Sequence, residues 1–187
     1  MEKAFLLSAK KLLSRFEANA ANQQVAGLSA LFYVNRLYPG SINSAQLNSI
    51  TFRTLSLQHE EGWFLEYDGA DLGYLSVTLD CLFDIYDCSK IPQVKTAIKN
   101  GISFVSSVLN MCNGNLSGIN SRNTDYILPY AFVREYYEGE GNTLRQCELI
   151  LRRLADRDTF DTVDERYWLH YIGPSITRAL NFINSIN

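Results

Sequence analysis

The sequence predicts an all-α domain, and three observations carry that expectation. Apolar residues recur three and four positions apart along most of the chain. Runs that alternate apolar with polar are nearly absent, and no Asn-Gly turn stands between two hydrophobic strands. The third is size: 187 residues, 47% hydrophobic and 12% aromatic, suffice for one buried core, a single domain over residues 1–187.

The elements follow from the periodicity and its punctuation. Helix one covers about 3 to 17 through Phe5, Leu6, Ala9, Leu12, Leu13 and Phe16. Helix two covers about 20 to 37 through Val25, Leu28, Leu31, Phe32, Val34 and Leu37, and "YPGS" stops it. Helix three covers about 43 to 58. Helix four starts near Asp71 and runs to about Tyr86 through Leu75, Leu79, Leu82 and Phe83, and helix five runs from Pro92 to about Met111. After the loop "CNGNLSGINSRN", helix six covers Thr124 to Glu138, helix seven Thr143 to Arg157 and helix eight Pro174 to Ile186.

The connections alternate in character. Those after helices two, four and six are short and carry Pro or Gly, or both: "YPGS", "DCSKIP", "GEGN". Those leading into helices two, four, six and eight are "EANAANQQ", "EEGWFLEYDGADLGY", "SGINSRNTDYILPY" and "DERYWLHYIGPS", recurring about every 50 residues. That period belongs to helical-hairpin repeats that stack side by side. The expectation is about four αα-hairpins forming an arc, with the starts of the four second helices gathered at one rim.

Charge and composition exclude several classes. A net charge of -3 with scattered Lys and Arg offers no footprint for nucleic acid or anionic membrane. No apolar run reaches the roughly 20 residues that span a bilayer, and "MEKAFLLSAKKLL" interrupts any apolar leader with charge, so a cytoplasmic protein is expected. Cys81, Cys88, Cys112 and Cys147 lack CxxC spacing and read as free thiols, with no metal and no cofactor implied.

The hairpin period and connection pattern resemble the α/α toroid, an inner ring of helices inside an outer one with the site at the mouth of the inner ring. Terpenoid cyclases, protein prenyltransferase β subunits and several glycoside hydrolases and polysaccharide lyases have such folds. "GWFLEYDGADLGYLS" and "SRNTDYILPY" are similar to stretches of bacterial toroid proteins of polysaccharide-related context. A closed ring takes about six hairpins of this size and this chain supplies four, so the resemblance implies an open arc, a second chain or copy that completes the ring, or one portion of a longer ancestral protein.

Helix starts carry unpaired N–H groups and the positive end of the dipole, which suits anions and oriented polar ligands. Asp71, and Thr124 or Asp125, also suit plain N-caps. Caps alone leave Trp63, Phe64, Tyr67 and Tyr74 without a role. Aromatic faces interleaved with Glu66, Asp68, Asp71 and Asp125 are what a sugar site uses: rings stack on pyranoses, and carboxylates bind hydroxyls or act as acid and base. The competing reading anchors Trp63 and Phe64 on the core. Arg122 either holds an anionic group or bridges to Asp68 or Asp125. His170, in "RYWLHYI" beside Trp168, is a proton carrier or a hydrogen-bonded structural residue. Asn22 and Gln23 start an inner helix and can contact a ligand hydroxyl or cap that helix.

Sharper mechanisms fail on motif. "DGAD" matches neither the DxDD nor the DDxxD pattern of terpene cyclases, no prenyltransferase-type zinc set is found, and no GxSxG elbow is present. Two classes remain. One is a carbohydrate-active protein, a glycoside hydrolase or polysaccharide lyase if an enzyme. Its acid and base come from Glu66, Asp68, Asp71 or Asp125, or from Tyr126, Tyr130 and His170, and Asn22, Trp63, Tyr67, Tyr74, Arg122 and Trp168 bind its glycan. The other is a noncatalytic scaffold for a protein partner, or a terpenoid-cyclase-like relative without the catalytic aspartates.

Overall fold

A computed structural model of the chain describes residues 2–67, 69–111, 126–139, 143–156 and 168–186. Those residues form eight α-helices and no strand. They are α1 (Glu2–Leu13), α2 (Ala21–Leu37), α3 (Ser44–Leu55), α4 (Leu72–Ser89), α5 (Pro92–Met111), α6 (Tyr130–Glu138), α7 (Leu144–Asp156) and α8 (Gly173–Ile186). A π-helical turn, Trp168–Ile172, leads directly into α8. None of the described helices is long and apolar enough to cross a membrane.

Burial sorts the helices. α4 hides eleven residues, from Leu72 to Ile85, on every side, and the first six residues of α6, Tyr130 to Glu135, are all buried. A helix that is buried all round belongs in the middle of a fold. By contrast α1 fully buries only Ala9, and α7 buries Gln146, Cys147 and Ile150 along one stripe. α2 packs on α4, α4 on α6, and α6 on α8, while α1, α3, α5 and α7 lie against these.

Contacts give the helix directions. Asn22 meets Glu66 just ahead of α4 and Tyr33 meets Asp84 farther along it, so α2 and α4 run the same way. Asp80 meets Ala131 and Asp87 meets Arg134, which sets α6 parallel to α4. Ser175 meets Tyr130, and Arg134 faces the Phe182 ring, which sets α8 parallel to α6. α5 runs the opposite way, since its Lys95 lies over the Phe83 and Tyr86 rings while Gly101 lies by Leu79.

Two boundaries differ from the sequence expectation by four residues or more, each for a local reason. Helix one stops at Leu13 rather than near 17, because Ser14 turns its hydroxyl back to the Lys11 carbonyl and Glu17 binds the Asn19 N–H. Helix six starts at Tyr130. Pro129 is its N-cap, and proline disfavours helical conformation in Leu128 before it; Leu128 instead donates its N–H to Ser76 Oγ, 2.9 Å away. The expected stretch from Thr124 to Asp125 lies outside the described residues.

The "EEGWFLEY" segment is fastened to the core by Phe64, 1% exposed. Burying a phenyl ring contributes about 1.5–3 kcal/mol, so the anchoring role weighed for Phe64 is the one it plays. Gln58 Nε2 donates to the carbonyls of Gly62 and Ala97, both at 2.9 Å, which ties the same segment to α5.

Candidate functional site

The start of α2 and the segment ahead of α4 are clipped together by backbone. Ala21 donates its N–H to the Leu65 carbonyl at 3.0 Å, Tyr67 donates to Asn19, and Ala20 pairs with Glu66. This pairing delivers the Glu66 carboxylate to a helix end that has no cap of its own, since Ala20 stands at the N-cap of α2. Asn22 donates its backbone N–H to Glu66 Oε1 at 2.6 Å. A residue 44 positions along the chain thus satisfies a donor that the local sequence leaves open. Asp71 caps α4 itself, accepting from the Tyr74 N–H at 2.9 Å.

Glu66 and Asp71 are both 0% exposed. Burial is the main force on Glu66 and pushes its carboxyl up to about 7; the Asn22 N–H opposes that, and the negative charges of Asp71 and Glu17 add to it. Among the described residues, Glu66 Oε2 and Asn22 Oδ1 have no hydrogen-bond partner. Two unsatisfied buried acceptors in neighbouring residues are costly, about 1–3 kcal/mol each.

The other expected site residues divide into several groups. Tyr67, next to Glu66, holds a left-handed backbone (φ 54°) and leaves 38% of its surface exposed. An aromatic residue in that region is unusual, and such conformations cluster at functional sites. Trp63 is half-buried, stacks on His59 with ring centroids 4.3 Å apart, and donates its indole N–H to Glu61. Tyr74 is half-buried in the first turn of α4, and Tyr126 is buried. Tyr130 is buried farther along, at the α4–α6–α8 contact, and its hydroxyl accepts from Arg134. Trp168 and His170 are exposed in the π-helical turn. Asp68, Arg122 and Asp125 lie outside the described residues. The group brought together is therefore Asn22, Glu66 and Asp71, with Tyr67 flanking it.

A second polar cluster escaped the sequence reading. Asp80, Asp84 and Asp87 repeat at helical spacing on one face of α4. Arg178 of α8 donates to Asp84 Oδ1 at 2.6 Å and to the Asp80 carbonyl at 3.3 Å, and Tyr33 donates to the same Asp84 oxygen at 2.9 Å. Arg134 of α6 grips Asp87 with both terminal nitrogens and Glu138 with Nε. Asp80 Oδ1 accepts the Ala131 N–H at 3.1 Å, capping α6 from another helix just as Glu66 caps α2. Burial raises the Asp80 carboxyl to about 6 even with Arg178 pulling it down. The signal was present in "LDCLFDIYD": three carboxylates on one face of a helix that is otherwise apolar.

Burial pushes the Cys81 thiol up to about 12 and the Cys147 thiol to about 11, so neither is a thiolate nucleophile at neutral pH. Among the described residues no group of three His, Cys, Asp or Glu side chains is placed to hold a metal ion. Set against known proteins, the chain matches no family model, no curated protein and no solved structure.

Proposed function

We propose that the chain is an arc of αα-hairpins, a partial α/α toroid, and that the starts of its inner helices form a rim which binds a bacterial polysaccharide. The sequential contacts and common direction of α2, α4, α6 and α8 support the arc. One observation carries the rim: the buried Glu66 carboxyl, near 7, has an oxygen without a partner next to Asn22, whose side-chain carbonyl also has none. Hydroxyl groups are the donors such a pair of acceptors lacks, and the exposed ring of Tyr67 offers an adjoining stacking face. A carboxyl that titrates near neutrality also suits an acid or base, which is the glycoside hydrolase or lyase form of the proposal. Glu66 is closed from solvent, so ligand contact with Oε2 requires the turn at Tyr67 to shift.

A glycan array with wild type, Tyr67→Ala and Trp168→Ala tests this. Wild type should retain a family of oligosaccharides, and each variant should bind it at least about tenfold more weakly, a difference of about 1.4 kcal/mol. Both rings are exposed, so melting temperatures should barely move. Failure of wild type to bind any glycan would defeat the proposal.

A second reading, a scaffold for a protein partner or another copy of this chain, is favoured by the apolar side chains that the last segment leaves in water. Leu169 is 70% exposed, and Leu180 and Ile186 of α8 are also exposed.

A further inference from the structure

A groove of about 770 Å³ runs between α5 and α7, and Asn22, Glu66, Tyr67 and Asp71 are not among its lining residues. Its α5 wall is a polar stripe, Lys99, Ser103, Ser106 and Asn110, at the spacing that keeps side chains on one helix face. The eleven helical steps from Lys99 to Asn110 make this wall about 16 Å long, the span of about five residues of extended chain. The opposite wall carries Arg145 and Gln146. Gln146 is 4% exposed, and its side-chain carbonyl, Oε1, has no hydrogen-bond partner.

We propose that this groove binds an extended peptide segment bearing an acidic side chain. A peptide backbone offers N–H groups at regular intervals, and one of them supplies the donor that Gln146 Oε1 lacks once the side chains that close this atom from solvent give way. The hydroxyls of Ser103 and Ser106 and the amide of Asn110 can both donate and accept, as a main chain requires. Ile102 and Leu144 give a short apolar patch for one peptide side chain. Lys99 and Arg145 are exposed cations that make no ion pair with described residues, and they attract a carboxylate. Glu135 and Glu148 on the same walls repel a run of negative charge, which selects a single acidic residue over a polyanion. Among the described residues no aromatic lines the groove, so they offer no stacking face on which a pyranose ring would rest.

The test is a phage-displayed heptapeptide library panned on the full chain, followed by fluorescence anisotropy with the enriched peptide. The library should yield sequences with an acidic residue beside an apolar one. Gln146→Leu and Ser103→Glu should each weaken binding at least tenfold, as should replacing the peptide's acidic residue by its amide. Ser103 is exposed, so that variant keeps the fold even where Gln146→Leu perturbs it. Tyr67→Ala should leave peptide affinity unchanged, which separates this groove from the rim. The proposal is overturned if no peptide is enriched, if the enriched peptide binds Ser103→Glu as well as wild type, or if oligosaccharides displace it.

Discussion

Replacing Arg178 by methionine should cost on the order of 3–5 kcal/mol at pH 8, the loss that follows when one partner of a buried ion pair is removed. Asp80 is only 4% exposed, and Arg178 is the cation that faces it, 4.0 Å from Oδ2. The same guanidinium holds Asp84 and lies 3.9 Å over the centre of the Tyr130 ring, so methionine removes charge where it is most needed and preserves only the packing. The loss should shrink as pH falls. The Asp80 carboxyl already sits at about 6, above its ordinary value, and without Arg178 it rises further. The native state then binds the proton more readily than the unfolded chain, so stability is highest in acid and declines as pH rises through the native value. Urea denaturation at pH 5 and pH 8 checks this. A loss under about 1 kcal/mol that is equal at both values would mean that the cluster is effectively solvated.

Gly62→Ala should destabilise the fold by about 2–5 kcal/mol, combining a strained backbone with an overpacked contact. Gly62 has φ +104°, a region that residues with a side chain rarely adopt. An added Cβ would stand 2.3 Å from the Asn100 carbonyl oxygen and 2.8 Å from its carbon, both of them backbone atoms of α5 that cannot swing aside. Gly69, in the same aromatic segment, is the control: nothing lies within 4 Å of its added Cβ, and alanine there should change stability by no more than about 0.5 kcal/mol. Thermal melts of the two variants side by side decide the matter; equal losses would show that the segment does not dock on α5 as described.

Local patterns were legible in the sequence, and remote partnerships were not. Proline at 92 and the capping aspartate at 71 placed the starts of α5 and α4, because those signals act within a turn of the residue that carries them. The start of α6 was misplaced although Pro129 in "TDYILPY" marks it locally, while the remote part of its capping, Asp80 of α4 accepting the Ala131 N–H, leaves no trace in that stretch. Glu66 illustrates the same limit at the candidate site. Its place in an aromatic, acidic stretch singled it out, but its partner is a backbone N–H 44 residues earlier, and its full burial follows from that pairing. Asp80, Asp84 and Asp87 escaped the sequence reading because the arginines that face them come from α6 and α8, far along the chain.

The rim stands or falls on Glu66→Gln, with stability and oligosaccharide binding both measured at pH 4.5 and pH 8. The native Glu66 carboxyl sits at about 7 against an ordinary 4.5, so ionising it costs the wild type stability as pH rises across that window, at most about 3 kcal/mol. Glutamine keeps an oxygen for the Asn22 N–H and puts an uncharged NH2 donor in the place of Oε2, beside the Asn22 Oδ1 that lacks one. The variant should therefore melt higher than wild type at pH 8 and much like it at pH 4.5, with the remaining pH slope shared by Asp80 and Asp84, whose carboxyls are raised, and Asp87, whose carboxyl is lowered. Oligosaccharide binding should fall by at least about two orders of magnitude at pH 8, since the group that meets the ligand has lost its charge and basicity. A variant that binds oligosaccharide like wild type and loses about 0.5–2 kcal/mol at pH 8, as an ordinary helix cap does, would contradict the account and leave Glu66 as a structural link between α2 and α4.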